Sequence, residues 1–166
     1  MSVAERVFIG LGANLGDAQA NIREALRRLE DLPQTSVVRV SSLYRSAPVD
    51  AAGPDYVNAV AELRTQLPPP ALLAQLLAIE RDAGRERPYH HAPRTLDLDL
   101  LLFGERCVES PGLTLPHPRL ALRAFVLQPL AELAPQLCLA DGRSVVEALA
   151  ALSHQRVDVI GDVLLG

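Results

Sequence analysis

The sequence predicts an α+β fold: a ferredoxin-like β-α-β-β-α-β core with an antiparallel sheet, both core helices packed on one face, and an extra C-terminal strand pair and helices. Three observations carry this expectation. Four apolar runs have strand length, two longer segments have helical period, and the two middle strands follow one another with only a Pro/Gly-rich loop between them. The first strand is Val7-Phe8-Ile9-Gly10-Leu11, and Gly12 to Asp17 reads as a loop. From Ala20 to Leu32, Ile22, Leu26 and Leu29 recur at helical spacing with Asp17 as a nearby cap. Ser36 to Tyr44, with Val37, Val38 and Val40, reads as one strand. Ser46 to Asp55 carries Pro48, Gly53 and Pro54 and reads as a loop. Tyr56 to Leu63 is the third strand. Pro70 opens a helix that runs through Leu72, Leu73, Leu76, Leu77 and Glu80 to Gly84. Arg85 to Pro93 is a polar loop. Leu96 to Phe103 is the fourth strand, with Leu96, Leu98, Leu100 and Leu102 assigned to one face. After it come a turn at Gly104-Glu105, a short strand near Val108, a short helix after Pro118, and a capping box at Ser144-Val145-Val146-Glu147. Val157 to Gly166 matches no element.

The chain has 166 residues, which suits a single domain over 1–166. Its residues are 49% hydrophobic and 22% charged, enough apolar surface for a packed core. The net charge of −4 argues against a general nucleic-acid binder. All 16 basic residues are arginine. That excludes a Walker-A lysine, a kinase-type strand lysine and a Schiff-base lysine. Any bound phosphate must meet arginine forks and main-chain N–H groups. Cys107 and Cys138 have no metal-ligand spacing and are expected as buried free thiols. Met1 to Arg6 lacks the pattern of a secretory leader, and no apolar run spans a membrane, so a cytoplasmic monomer is expected.

Asp97 and Asp99 are the first candidate site. Residues two apart on a strand point to the same face. Aspartate is depleted in strands, and two same-face carboxylates repel unless a cation lies between or beside them. Magnesium accepts one or two carboxylates and completes its shell with water and phosphate. Alone, the pair reads slightly better as an ordinary solvated strand face. Arg81, Arg85, Arg87 and Arg94, in the segment leading into this strand, favour the metal–phosphate reading. His117, held between Pro116 and Pro118, is a weaker phosphate candidate. Gly10-Leu11-Gly12-Ala13-Asn14-Leu15-Gly16 lacks the spacing of a dinucleotide fingerprint and reads as a strand-to-helix turn. Tyr56 and Phe125 are able to stack on a flat ligand, although core packing is the better reading of each taken by itself.

Together these segments resemble the 6-hydroxymethyl-7,8-dihydropterin pyrophosphokinase family. Pro93-Arg94-Thr95-Leu96-Asp97-Leu98-Asp99 is similar to its signature. Gly12 to Gly16, Tyr44-Arg45-Ser46, Pro54 to Ala59, Ile79-Glu80, Gly84-Arg85, Leu113 to Pro118, Arg123-Ala124-Phe125 and Pro129-Leu130 follow in the family's order. His91-Ala92 stands where the family often has an aromatic residue and glycine, and Ala47 where proline is common. The resemblance implies Mg²⁺-dependent transfer of the pyrophosphoryl group of ATP to the pterin alcohol, with release of AMP. It implies two Mg²⁺ ions on Asp97 and Asp99, and catalytic arginines at Arg85 and Arg94. It implies an ATP site at Glu80, Arg87, Arg94, Leu100, Thr114, His117 and Arg123. It implies a pterin site at Ser46, Ala47, Val49, Tyr56, Asn58, Asp97 and Phe125. Two other readings of the residues stay open at this point. One is a different Mg²⁺-dependent nucleotidyl or phosphoryl transferase on the same scaffold. The other is a non-enzymatic ferredoxin-like binding module, which would want a basic, aromatic sheet face instead of two aspartates.

Overall fold

A computed structural model describes residues 3–14, 17–47, 55–84 and 96–162. The elements are β1 (Glu5–Ala13), α1 (Ala18–Glu30), β2 (Thr35–Val40), β3 (Leu43–Ser46), β4 (Tyr56–Thr65), α2 (Pro69–Gly84) and β5 (Asp97–Phe103). They are followed by β6 (Val108–Ser110), β7 (Leu113–Leu115), a 3₁₀ turn at Leu120–Leu122, α3 (Ala124–Leu133), α4 (Val145–Ala150) and β8 (Val157–Gly161). The main sheet runs β5-β1-β4-β3-β8, with β2 also paired to β4, and its ladders are antiparallel. Among the described residues, no helix is long and apolar enough to cross a membrane.

Alternation along β1 divides the core. Val7, Ile9 and Leu11 face one layer with Ile22, Leu26 and Leu29 of α1 and Leu72, Leu76 and Ile79 of α2. Phe8 faces the other with Val60, with Val126, Leu127 and Leu130 of α3, and with Val145 and Ala148 of α4. The two core helices therefore share one face, as expected, and the C-terminal helices cover the other. Asp17 caps α1 by accepting the Ala20 N–H at 3.0 Å. Ser144 and Glu147 close their capping box on α4.

Several expectations need correction. Ser36 to Tyr44 is two strands, not one. Three residues of this segment, 41–43, stand against two of β4 between the pairs Val40↔Ala61 and Tyr44↔Asn58. The side chain of Ser41 accepts the Val60 N–H at 2.9 Å, and Glu132 of α3 accepts from the Ser42 N–H at 3.0 Å and from the Tyr44 hydroxyl at 2.6 Å. Burial, and then the Glu132 carboxylate, hold the Tyr44 phenol well above its ordinary pKa. β1 extends through Gly12 and Ala13, which are strand and not loop. Leu102 does not share a face with Leu96, Leu98 and Leu100. The β1–β5 register slips between Phe8 and Ile9, leaving Leu101 as the extra residue, and the strand turns over there. The strand near Val108 does form the expected extra pair, with β7, in a separate two-stranded sheet, whereas Cys107 and Cys138, expected to be buried, are both exposed free thiols. The short helix expected after Pro118 is the 3₁₀ turn at Leu120–Leu122, and the longer α3 that follows it carries Pro129 inside. Val157–Gly161 becomes β8, paired to β3.

Buried polar residues tie β4 to its neighbours. Glu62, only 3% exposed, receives Arg6 Nε at 3.1 Å and Arg39 Nη2 at 2.7 Å. Arg39 Nη2 also donates to the Leu133 carbonyl at 2.8 Å, so this pair anchors α3 as well.

Candidate active site

Antiparallel pairing sets Gly12 opposite Asp97 and Gly10 opposite Asp99. Both aspartates are half-buried, while Leu98 and Leu100 between and beyond them enter the apolar core. Period-two alternation therefore turns the two carboxylates to the sheet face that α3 covers. Gly10 and Gly12 fall on the same face, where absent side chains leave room. A cavity of about 300 Å³ opens there, lined by Gly10, Gly12, Asp97 and Asp99 on its floor and by Ser46, Ala47, Tyr56, Asn58, Arg123 and Phe125 on its walls.

The polar lining of this cavity is oriented. The Ser46 hydroxyl donates to Asn58 Oδ1 at 2.7 Å, and both residues are buried. With its oxygen so engaged, the Asn58 amide has its Nδ2 on the Gly12 side, 3.3 Å from where a Cβ on Gly12 would stand. Tyr56 begins β4 and Phe125 sits in the first turn of α3, so the two rings come from opposite layers. The Arg123 guanidinium lies 5.5 Å from the centre of the Phe125 ring.

A second cavity, of about 390 Å³, lies on the outer side of β5 and is lined by Leu73, Leu77, Glu80, Leu98, Asp99, Leu100, Thr114 and His117, among others. Asp99 lines both cavities. Strand β5 is an edge, and its outward main-chain groups fix two of these residues. Glu80 accepts the Leu98 N–H at 2.7 Å, on the residue between the two aspartates. The His117 N–H donates to the Leu101 carbonyl at 2.9 Å. His117 Nδ1 accepts the Arg119 N–H at 3.1 Å, which leaves the ring proton on Nε2 in the neutral form. Burial lowers the His117 pKa. Asp99 opposes that shift, and Arg123 and Arg119 reinforce it. His117 is thus a neutral ring at physiological pH with one N–H to offer.

The structure gathers Asp97, Asp99, Ser46, Ala47, Tyr56, Asn58, Arg123 and Phe125 at the first cavity, and Glu80, Leu100, Thr114, His117 and Asp99 at the second. Val49, Arg85, Arg87 and Arg94 lie outside the described residues. Sequence reasoning passed over Gly10 and Gly12 as a turn. The available signal was two glycines at period two inside an apolar strand, which marks a close approach.

The chain matches the family described as 7,8-dihydro-6-hydroxymethylpterin-pyrophosphokinase over residues 8–135. A Pseudomonas aeruginosa protein named 2-amino-4-hydroxy-6-hydroxymethyldihydropteridine pyrophosphokinase is 48% identical over 155 residues, covering 93% of this chain and 96% of that protein. A Haemophilus influenzae protein of the same name is 38% identical over 151 residues, covering 90% and 94%. A crystal structure of wild-type Plasmodium falciparum HPPK-DHPS superposes with a TM-score of 0.74 at 11% identity; the match covers 93% of this chain and 45% of that one, and shows a shared fold. The carboxylate pair on β5, the cavities that meet over it and these matches lead to one conclusion: the chain belongs to the 7,8-dihydro-6-hydroxymethylpterin-pyrophosphokinase family.

Proposed function

We propose that the pterin alcohol occupies the Tyr56–Phe125 cavity, that ATP occupies the Thr114–His117 cavity, and that transfer takes place over Asp99 where the two join. In the family's reaction the hydroxymethyl oxygen of 6-hydroxymethyl-7,8-dihydropterin attacks the β phosphorus of ATP. The bond from that phosphorus to the oxygen bridging it to the α phosphorus breaks, AMP leaves with that oxygen, and the alcohol proton passes to solvent. The single observation that carries the reading is that one carboxylate, Asp99, lines both cavities. Two substrates held on either side of one group meet at it, which is what in-line transfer between bound partners requires.

The donor set suits magnesium. Asp97 and Asp99 offer hard carboxylate oxygens, and among the described residues no group of three His, Cys, Asp or Glu forms a closed metal cage. That leaves water and phosphate to complete the shell, as Mg²⁺ prefers. Bound Mg²⁺, two ions by the family resemblance, supplies Lewis-acid stabilisation of phosphate oxygens. The chain's own residues position. Tyr56 and Phe125 stack on the ring, while Asn58 and the main chain of Ser46, Ala47 and Val49 read its edge. His117 Nε2–H, Thr114 and Arg123 meet phosphate oxygens. Glu80 fixes the strand carrying the aspartates, and Leu100 contributes apolar contact to the nucleotide. Arg85, Arg87 and Arg94 are assigned to charge on the transferred group. We read the chain as a cytoplasmic monomer acting on small molecules, and its net charge of −4 supports no nucleic-acid role.

The test is direct. Incubation with Mg²⁺, ATP and 6-hydroxymethyl-7,8-dihydropterin is expected to yield AMP in equal amount to pterin diphosphate. ADP in place of AMP would indicate single-phosphoryl transfer, and folded protein giving neither product would sink the reading. A substitution checks the pterin cavity separately. In Gly12→Ala the new Cβ would sit 3.3 Å from Asn58 Nδ2, so the amide must move. Pterin KM is expected to rise about tenfold, equivalent to about 1.4 kcal/mol, with ATP KM nearly unchanged. A pterin KM within twofold of the parent would remove Asn58 from the ring edge.

A further inference from the structure

Gln155 lies beyond residues 8–135, the stretch that matches the family. Its side chain nevertheless reaches the pterin wall. Oε1 accepts the Ala124 N–H at 2.9 Å, and Nε2 donates to the Leu122 carbonyl at 3.0 Å. These two main-chain groups flank Arg123, the extended residue (φ −127°, ψ 110°) between the 3₁₀ turn and α3. One group is a donor and the other an acceptor, so only one orientation of the amide satisfies both. Arg123 makes no side-chain cap of its own, and Gln155 fills that place at the first N–H of α3. It thereby fixes the backbone on both sides of Arg123 and at the foot of Phe125.

The same segment also grips the opposite wall. Two residues on, Val157 begins β8 and pairs with Ser46, the residue that orients Asn58. The Gln155 backbone is itself anchored, its N–H donating to the Leu152 carbonyl at 2.9 Å. The stretch 155–157 therefore spans from the Arg123–Phe125 wall to the Ser46–Asn58 wall of one cavity.

From this geometry we infer that Gln155 is a positioning residue for the pterin: it sets the separation between the Phe125 wall and the Ser46 wall of the slot. The inference rests on the pterin reading of that cavity. Gln155 lies outside the lining of the cavity of Asp99, Thr114 and His117, and of the groups assigned to ATP it holds only the backbone of Arg123, so its larger effect falls on the pterin. In Gln155→Ala, pterin Kd by fluorescence titration and pterin KM are expected to rise about tenfold, while ATP KM rises by at most about threefold, the share carried through the Arg123 backbone. Gln155→Glu keeps the acceptor for Ala124 but sets a carboxylate oxygen against the Leu122 carbonyl, two acceptors face to face, so its pterin constants are expected to rise at least as far, about tenfold. This second variant carries the test if the first does not fold. Pterin affinity within twofold of the parent in the folded variants overturns the inference, and so does an equal loss for ATP and pterin, which would mark a general structural role. The parent protein is the control. No AMP from it refutes the pterin reading itself, whereas an active parent with unaltered variants refutes only the role of Gln155.

Discussion

Asp99→Asn is expected to lower turnover by about a thousandfold or more, with the thermal midpoint of unfolding changed by only a few degrees. The substitution keeps the shape of the side chain and removes its charge. Asp99 lines both cavities, and on the proposed placement of the substrates it stands where phosphate charge from one meets the acceptor oxygen of the other. If Asp99 holds Mg²⁺ as proposed, its loss removes several kcal/mol of charge stabilisation in the transition state, and about 4 kcal/mol corresponds to a factor of about a thousand. Stability should scarcely suffer, because Asp97 and Asp99 share a face and their mutual repulsion is relieved. Asp97→Ala is expected to behave in the same way. The measurements are initial rates of AMP release beside thermal melts. An Asp99→Asn protein within tenfold of parental turnover would place the metal elsewhere. A variant that melts far below the parent would make Asp99 a structural residue.

The order of elements and the placing of the carboxylate pair were legible because they depend on local periodicity. Ile22, Leu26 and Leu29 declare a helix by spacing alone, and Asp97 and Asp99 declare a shared face by being two apart on a strand. What escaped depends on partners distant in the chain. The turn-over at Leu101 arises from register against Phe8 and Ile9, and β5 taken alone holds no sign of it. The split of β2 from β3 is fixed by Val60 and Glu132. The sequence predicts only a short helix after Pro118; α3 is longer and contains Pro129, and a helix against the sheet tolerates one missing main-chain donor when its apolar face is buried. Gly10 and Gly12 looked like a turn because glycine breaks strands locally. Their role appears only once Asn58 and the aspartates are brought beside them. Gln155 acts on residues 31 and 33 positions away and belongs to no motif, so nothing in its neighbourhood marks it.

The double variant Arg6→Ala/Arg39→Ala is expected to cost about 3–5 kcal/mol of stability at neutral pH, the range for a buried charge that loses its partners. Glu62 is the group left behind, 3% exposed at the centre of β4. In the parent, burial pushes its pKa up, but hydrogen bonds from Arg39 and Arg6 and their charges outweigh this, and the carboxyl titrates below its ordinary 4.5. A depressed folded pKa means that Glu62 stabilises the parent above pH 4.5, and that this contribution fades as pH falls through the folded value. In the double variant burial acts unopposed and the folded pKa rises above the unfolded one. The sign of the dependence then inverts, and stability attributable to this site increases as pH is lowered from 7 toward 5. Chemical unfolding of both proteins at several pH values reads the slope directly. Parallel pH profiles would show that the arginines do not control Glu62. A loss under about 1 kcal/mol would show that water reaches Glu62 once they are gone.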